Sequence, residues 1–103
     1  MISRNKILEL IEEELKDANE HYPLFRSDHE AYSVLKEEVE ETRELINEIE
    51  DLMRFMWNNG VRTDNHITVE NGKEAVFAYA VHLIQEAIQI AAMAKKGYEH
   101  GSN

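Results

Sequence analysis

Residues 75–94 are the most apolar part of this 103-residue chain, and they limit the folds that are open to it. Apolar side chains occur on almost every side of a helix drawn through the segment. Its length would suit a membrane span, but His82, Glu86 and Gln89 lie within it. An ionisable group at the centre of a bilayer costs at least ~2.5 kcal/mol. We therefore predict a buried helix at the centre of a bundle, and no membrane as partner.

Two further helices precede this segment. Apolar residues at three- and four-residue steps predict a first helix from about Ser3 to about Asn19, ending before His21-Tyr22-Pro23. Ser27 and Glu30 form a capping box, in which each side chain accepts from the other residue's backbone N–H. The second helix then runs from Asp28 to about Trp57. The chain is accordingly predicted to be all-α.

The end of the second helix and the limits of the third are predicted from Gly and Asn. Gly60 is expected in the left-handed conformation that ends helices, and residues 61–70 lack a helical period and are predicted as a loop. Asn71 is the expected cap of a third helix that runs from about Gly72 to Lys96. Gly97 ends that helix, and residues 98–103 are expected to be a frayed tail of a single domain, 1–103.

Composition excludes several classes of protein. The chain has 21 Asp or Glu against 11 Lys or Arg, a net charge of -10, so it is not expected to bind a nucleic acid polymer through a basic groove. It has no Cys, which excludes a disulfide framework, a zinc knuckle and a thiol nucleophile. Charged and apolar residues alternate near Met1, so we expect no signal peptide and a cytoplasmic location.

Most acids of the second helix project away from its apolar face, and two do not. Glu37, Glu40, Glu44 and Glu48 form a face that is expected to be solvated, whereas Glu38 falls inside the apolar arc and Glu41 falls at its edge. On the third helix, His82, Glu86 and Gln89 form one polar stripe. A buried polar stripe implies a polar partner, for which Glu38 and Glu41 are the candidates.

Carboxylates that converge in a bundle core are typical of a site for a hard divalent cation such as Mg²⁺. The alternative that these residues have only an ordinary structural role remains open. The acids would then point outward at helix ends, or His82 and Glu86 would be hydrogen-bonded within the core.

The acidic motif resembles that of a known family. Glu37-Glu38-Val39-Glu40-Glu41 is similar to the EExxE half of the metal motif of MazG-like nucleotide pyrophosphohydrolases, the all-α NTP pyrophosphatase group. Glu86-Ala87-Ile88-Gln89 aligns with the ExxD half on a following helix. Together with Phe25 to Tyr32, these segments resemble the short, often phage-borne members, over roughly residues 20 to 98.

The resemblance implies hydrolysis of a nucleoside triphosphate between its α and β phosphates, with Mg²⁺ (or Mn²⁺) as cofactor. It implies Glu38, Glu41, Glu86 and Gln89 as metal positions, and Glu37 with Glu38 as catalytic residues. Glu37 matches the acid that assists the attacking water or a second metal. Gln89 departs from the family, which has Asp there, so either the site binds metal more weakly or Glu30 or Glu37 compensates. Residues 42–85 also exceed the family's usual spacer.

Further residues are candidates for contacts with substrate, and each has an ordinary structural explanation beside it. Glu30 is explained by the capping box, His82 by a hydrogen bond within the core, and the others by ordinary exposure of polar side chains to solvent. The candidates are Glu30, His29, His82, Lys73 and Lys95, with Arg26 and Lys96 as additional cations for the outer phosphates.

Three helices cannot bury all the apolar side chains of this chain by themselves. A homodimer or tetramer is therefore expected to complete a larger helical bundle. The alternative to the enzyme is a non-catalytic interaction protein, in which the acidic helices form an oligomeric binding module or a decoy for a basic partner.

Overall fold

The computed structural model describes residues 1–21 and 25–100. The fold is 89% helix, with three helices packed together and no strand among the described residues, so the predicted all-α bundle is confirmed. Helix α1 is Arg4–His21, helix α2 is Asp28–Met56 and helix α3 is His66–His100. A π-helical turn, Trp57–Val61, follows α2.

The chain divides into two compact units, and the first has a core of its own. This unit comprises residues 1–40 and 85–103. Its buried apolar side chains are Leu15 of α1, Phe25 of the connector, and Ala92 and Met93 of α3. Partly buried side chains from α1 and α2 pack against them, namely Ile11, Ala18, Ala31, Val34 and Leu35. All three helices thus contribute to one core.

The start of α2 has one half of the predicted capping box. The hydroxyl Oγ of Ser27 accepts from the Glu30 N–H at 3.1 Å, as expected. The Glu30 carboxylate, however, accepts from the backbone N–H of Arg26 at 3.3 Å and lies 3.9 Å from the Arg26 guanidinium. The prediction that it would bond the Ser27 N–H was wrong by one residue, since the carboxylate reaches the backbone N–H of Arg26 instead.

The second unit, residues 41–84, contains the turn between α2 and α3. Residues 61–70 were predicted as a loop, but α3 already begins at His66. Its cap is Asn65 instead of Asn71, because the Asn65 side-chain oxygen accepts from the Thr68 N–H at 3.1 Å. The backbone carbonyl of Asn65 also accepts from the Val69 N–H at 3.2 Å.

Gly60 is required by close packing and not by the left-handed conformation predicted for it. The positive φ in this turn belongs to Asp64, at 53°. Gly60 is buried in the π-helical turn, where a Cβ would stand 2.8 Å from Val69 Cγ2 and 3.3 Å from the Val69 nitrogen. The N–H of Arg62 donates to the Trp57 carbonyl at 2.9 Å, the wide bond of a π-turn.

Two other glycines, Gly72 and Gly97, lie inside α3. They were predicted to stand at its start and just past its end. A Cβ at Gly72 would meet the flexible Met56 side chain, with Cε at 2.8 Å. Helix α3 continues through Gly97 to His100, so Tyr98 and Glu99 are helical and not part of a frayed tail. Residues 101–103 of the predicted tail lie outside the described residues.

Helix α3 is far less buried than predicted. Over His66–Glu99 it is long and apolar enough to cross a membrane by length and composition alone, and only 11% of its most apolar window is buried. Phe77 is 70% exposed, and Val81 and Ile84 are also exposed. The expectation of a fully buried helix was wrong for this chain alone, because only its last part enters the core at Ala92 and Met93.

Candidate functional site

Three carboxylates predicted to converge do so. One carboxylate oxygen each from Glu38, Glu41 and Glu86 lies within 4.8 Å of the other two. Glu38 and Glu86 belong to the first unit, and Glu41 follows Glu38 by one turn of the uninterrupted helix α2. The i, i+3 spacing places Glu38 and Glu41 on one side of α2, as helical phase requires.

Burial separates this cluster from an ordinary acidic surface. Glu38 and Glu86 are half-buried, whereas Glu41 is exposed. The Oε2 atoms of Glu38 and Glu86 are buried. A carboxylate loses hydration energy when its oxygen is buried, so such groups ordinarily meet a proton, a donor or a cation.

The donor set fits a hard divalent cation. Carboxylate oxygens are the ligands that Mg²⁺ and Mn²⁺ prefer. Two oxygens bound to one Mg²⁺ lie at most about 4.2 Å apart, since each bond is about 2.1 Å long. A cluster within 4.8 Å therefore needs only small side-chain adjustments to close on such an ion.

A half-open cavity of about 610 Å³ lies in the first unit. It begins one helical turn from the carboxylates, because Val34 precedes Glu38 by four residues and Gln89 follows Glu86 by three. Its lining is partly apolar and partly charged, and comes from α1, the connector, α2 and α3: Glu14, Asp17, Ala18, Phe25, Arg26, Glu30, Val34, Gln89, Met93 and Lys96.

Lys96 is the buried cation of this cavity. The residue is 2% exposed, and its Nζ lies 4.7 Å from the centre of the Phe25 ring, in cation–π contact. Burial lowers the pKa of the Lys96 ammonium from its ordinary value, and the Glu30 carboxylate partly opposes that shift. The cavity therefore presents a positive donor group within a largely apolar wall.

Glu30, Gln89 and the two additional cations Arg26 and Lys96 line the cavity, whereas Glu37, His29, His82, Lys73 and Lys95 do not. Gln89, aligned with a metal position by the resemblance, lines the cavity and is half-buried. Glu37 and His29 are exposed on α2. His82 is exposed on α3, in the second unit.

The two predicted lysines have carboxylate partners. Lys73 donates to Glu70 at 2.9 Å, and this contact lowers the pKa of the exposed Glu70 carboxyl. Lys95 forms ion pairs with Glu12 of α1 and, at 3.5 Å, with Glu99. Both lysines stabilise local surface structure.

Sequence reasoning missed the cavity and the burial of Lys96. Gln89, Met93 and Lys96 recur at steps of four and three, so they share one face of α3. Their shared helical face was the feature of the sequence that could have indicated the cavity. It was missed because two adjacent lysines are typical of an exposed helix end.

The chain was also compared with known proteins. No family model matches it, and neither a curated protein nor a solved structure is significantly similar to it.

Proposed function

We propose that this chain is a Mg²⁺-dependent nucleotide pyrophosphohydrolase of the MazG-like kind, hydrolysing nucleoside triphosphates between the α and β phosphates. The observation that carries the proposal is the convergence of Glu38, Glu41 and Glu86. Acidic helices produce carboxylates on their surfaces by chance, but the buried Oε2 atoms of Glu38 and Glu86 distinguish this cluster. Two of the three carboxylates, those of Glu38 and Glu41, belong to the segment that resembles EExxE.

The proposal assigns a separate role to each of these residues. Glu38, Glu41 and Glu86 hold the cation, which when bound neutralises phosphate charge and polarises the attacking water. Glu37, exposed one position before Glu38, accepts the proton that the water loses. Pyrophosphate and a nucleoside monophosphate are the products.

The experiment is pyrophosphate release with Mg²⁺ or Mn²⁺ across a panel of ribo- and deoxynucleoside triphosphates. We expect release from at least one of them, and a loss of about 100-fold or more in Glu38→Gln, equivalent to ~2.7 kcal/mol. Glu44→Gln is the matched control, since Glu44 is exposed on the same helix. No release from any nucleotide, or equal activity in the two variants, contradicts the proposal.

We further propose that the protein acts as a homodimer or tetramer in the cytoplasm. Support comes from the second unit, in which several large apolar side chains are more than half exposed, namely Met53, Phe55, Trp57, Ile67, Phe77 and Ile84. A second copy would cover such a surface without placing Glu86 and Gln89 in a bilayer. Sedimentation should give a mass above the 12.0 kDa chain, and Phe77→Ser should lower it.

The same apolar surface favours a second candidate, a non-catalytic acidic interaction protein. In that case the carboxylates would contribute only charge, and association would not depend on metal. Unchanged melting with Mg²⁺, together with the absence of pyrophosphate release, would favour this candidate over the enzyme.

A further inference from the structure

Helix α3 carries a heptad repeat along one face. Its positions alternate steps of three and four residues, which is the spacing of a coiled-coil seam. Because α3 is one uninterrupted helix, these positions form a continuous stripe that drifts by about 20° per heptad, and a partner helix follows such a drift by supercoiling. Of the ten positions of this α3 stripe, seven are apolar or aromatic. The ten are Ile67, Glu70, Glu74, Phe77, Val81, Ile84, Ile88, Ala91, Lys95 and Tyr98.

The large side chains of the α3 stripe are exposed in the single chain. More than half of the surface of each of four of them is accessible to solvent, and Val81 is also exposed. The four are Ile67, Phe77, Ile84 and Tyr98. Apolar side chains that recur along one helical face and remain exposed mark a surface for association.

The side of α3 that packs on α2 is a different one. At Gly72 the helix approaches the Met56 side chain of α2 closely. A step of 100° per residue places Gly72 about 140° from Phe77 around the axis of α3. A further helix therefore fits on the α3 stripe without displacing α2.

The charged positions of the stripe decide the direction of a partner helix that is a second copy of α3. In a parallel pair each seam position faces itself. Glu70 would face the partner's Glu70, Glu74 the partner's Glu74, and Lys95 the partner's Lys95. Like charges that face each other across an interface destabilise it, so the parallel pair is disfavoured.

An antiparallel pair removes these contacts in one register, which has its two-fold axis between Val81 and Ile84. Every position of the stripe then faces a stripe position of the other copy, and Glu70 meets the oppositely charged Lys95. The opposed pairs are Ile67 with Tyr98, Glu70 with Lys95, Glu74 with Ala91, Phe77 with Ile88, and Val81 with Ile84.

The neighbouring antiparallel registers place charge against apolar side chains. A shift by one heptad in one direction brings Glu74 against the partner's Ile84. The same shift in the other direction brings Lys95 against the partner's Phe77. Both arrangements desolvate a charge without an opposite charge across the seam, which costs free energy. The sequence of the stripe therefore favours one pairing over its neighbours.

We propose that a second copy of this chain docks on the α3 stripe, so that two α3 helices pair antiparallel about a two-fold axis between Val81 and Ile84. Each contact then occurs twice, as in any isologous dimer. The Lys95 ammonium contacts Glu12 and Glu99 of its own chain, and its third N–H serves the partner's Glu70. The inference rests on the proposed self-association of the chain and does not depend on the proposed hydrolysis.

Disulfide crosslinking of the full chain reports the direction of the two helices, because the chain has no cysteine of its own. Ile67→Cys and Tyr98→Cys are purified separately, mixed and oxidised. We expect a crosslinked dimer in the mixture but not in either variant alone, since the two copies of position 67 lie about 45 Å apart in the antiparallel pair. A crosslink in Ile67→Cys alone indicates a parallel pair and overturns the proposal, and so does the absence of a crosslink from all three samples.

Charge reversal tests the register. Glu70→Lys and Lys95→Glu should each raise the dissociation constant of the dimer about tenfold, because both copies of the ion pair become like-charge contacts. The chain with both changes forms the pairs again with reversed signs, so it should recover most of the affinity. Glu44→Lys and Lys36→Glu are the matched controls, since both residues are exposed on α2, and they should leave the dissociation constant unchanged. A double variant no tighter than either single variant overturns the proposal.

The outcomes separate this inference from the proposed function. The mixed crosslink together with charge rescue, but no pyrophosphate release from any triphosphate, supports the antiparallel pair and contradicts the enzyme. Pyrophosphate release by a chain that sediments as a monomer overturns the pair and leaves the enzyme. A dimer or tetramer whose dissociation does not respond to reversal at Glu70 and Lys95 overturns the pair and keeps self-association through another surface.

Discussion

The first unit packs its large apolar side chains inward around Leu15 and Phe25, whereas the second unit leaves Phe77 and Ile67 at its surface. The first unit also contains Glu38, Glu86 and the charged cavity, and the second is held by a glycine-dependent turn. The packed core and most of the candidate ligand groups therefore lie in the first unit, although the third carboxylate, Glu41, belongs to the second. The first unit has the groups to bind a ligand, and the second has a surface suited to association.

The largest expected effect is the loss of stabilisation by Mg²⁺ when a carboxylate of the first unit is removed. Thermal melting measures it. Mg²⁺ at about 100 times its dissociation constant should stabilise the parent by ~2.7 kcal/mol. Glu38→Gln should remove most of that gain. Without metal it should be more stable than the parent, because each neighbouring carboxylate repels Glu38 by on the order of 1 kcal/mol in a water-like dielectric.

Glu44→Gln is again the control, since its carboxylate is exposed and its loss should leave the metal response intact. A Glu38→Gln protein that still responds to Mg²⁺ like the parent would show that the cluster is only a surface feature. A response lost in both variants would point to general acidity instead of a site.

The turn of the second unit should give the next largest effect. Gly60→Ala introduces a Cβ against the backbone and side chain of Val69, which cannot move without shifting α3. We expect a loss of about 1–3 kcal/mol, or about 4–8 °C in melting temperature for each kcal/mol.

Gly72→Ala is the matched comparison within the same unit. Its new Cβ meets the end of the flexible Met56 side chain, and a helical Gly→Ala change gains up to ~1 kcal/mol. The net change should stay within about 1 kcal/mol of the parent. If the two variants melt alike, close packing at Gly60 is not what holds the turn.

The sequence predicted features that depend on local patterns. The capping residue Ser27 and the helical period of α2 are contained in short stretches, so the helix was predicted within one residue of its observed end at Met56. The meeting of Glu38 with Glu86 was also predictable, because helical phase set both residues apart from their neighbours.

Features that depend on distant contacts were missed. The start of α3 at His66 is stabilised by Asn65 and by the packing of Gly60 on Val69, and no local period reveals that contact. The exposure of Phe77 was missed for a related reason. The apolar sequence of a helix indicates that its surface must be buried. It does not show whether the same chain or another molecule buries it.

The smallest expected effect is a pH dependence that arises from Lys96. Burial lowers its pKa in the folded chain, so between that lowered pKa and the ordinary 10.5 the unfolded chain binds more protons. The free energy of unfolding should therefore rise with pH across this window and level off above 10.5. Lys96→Met should remove that rise, and denaturant titrations from pH 7 upward would measure it.

Lys95→Met provides the background for this measurement, because Lys95 lies beside Lys96 but pairs with Glu12 and Glu99 near the surface. Glu30, whose charge opposes the shift, lines the same cavity as Lys96, together with the acids Glu14 and Asp17. Equal pH slopes in the two variants would mean that Lys96 is solvated. The cavity would then lack the buried cation that the structure places in its lining.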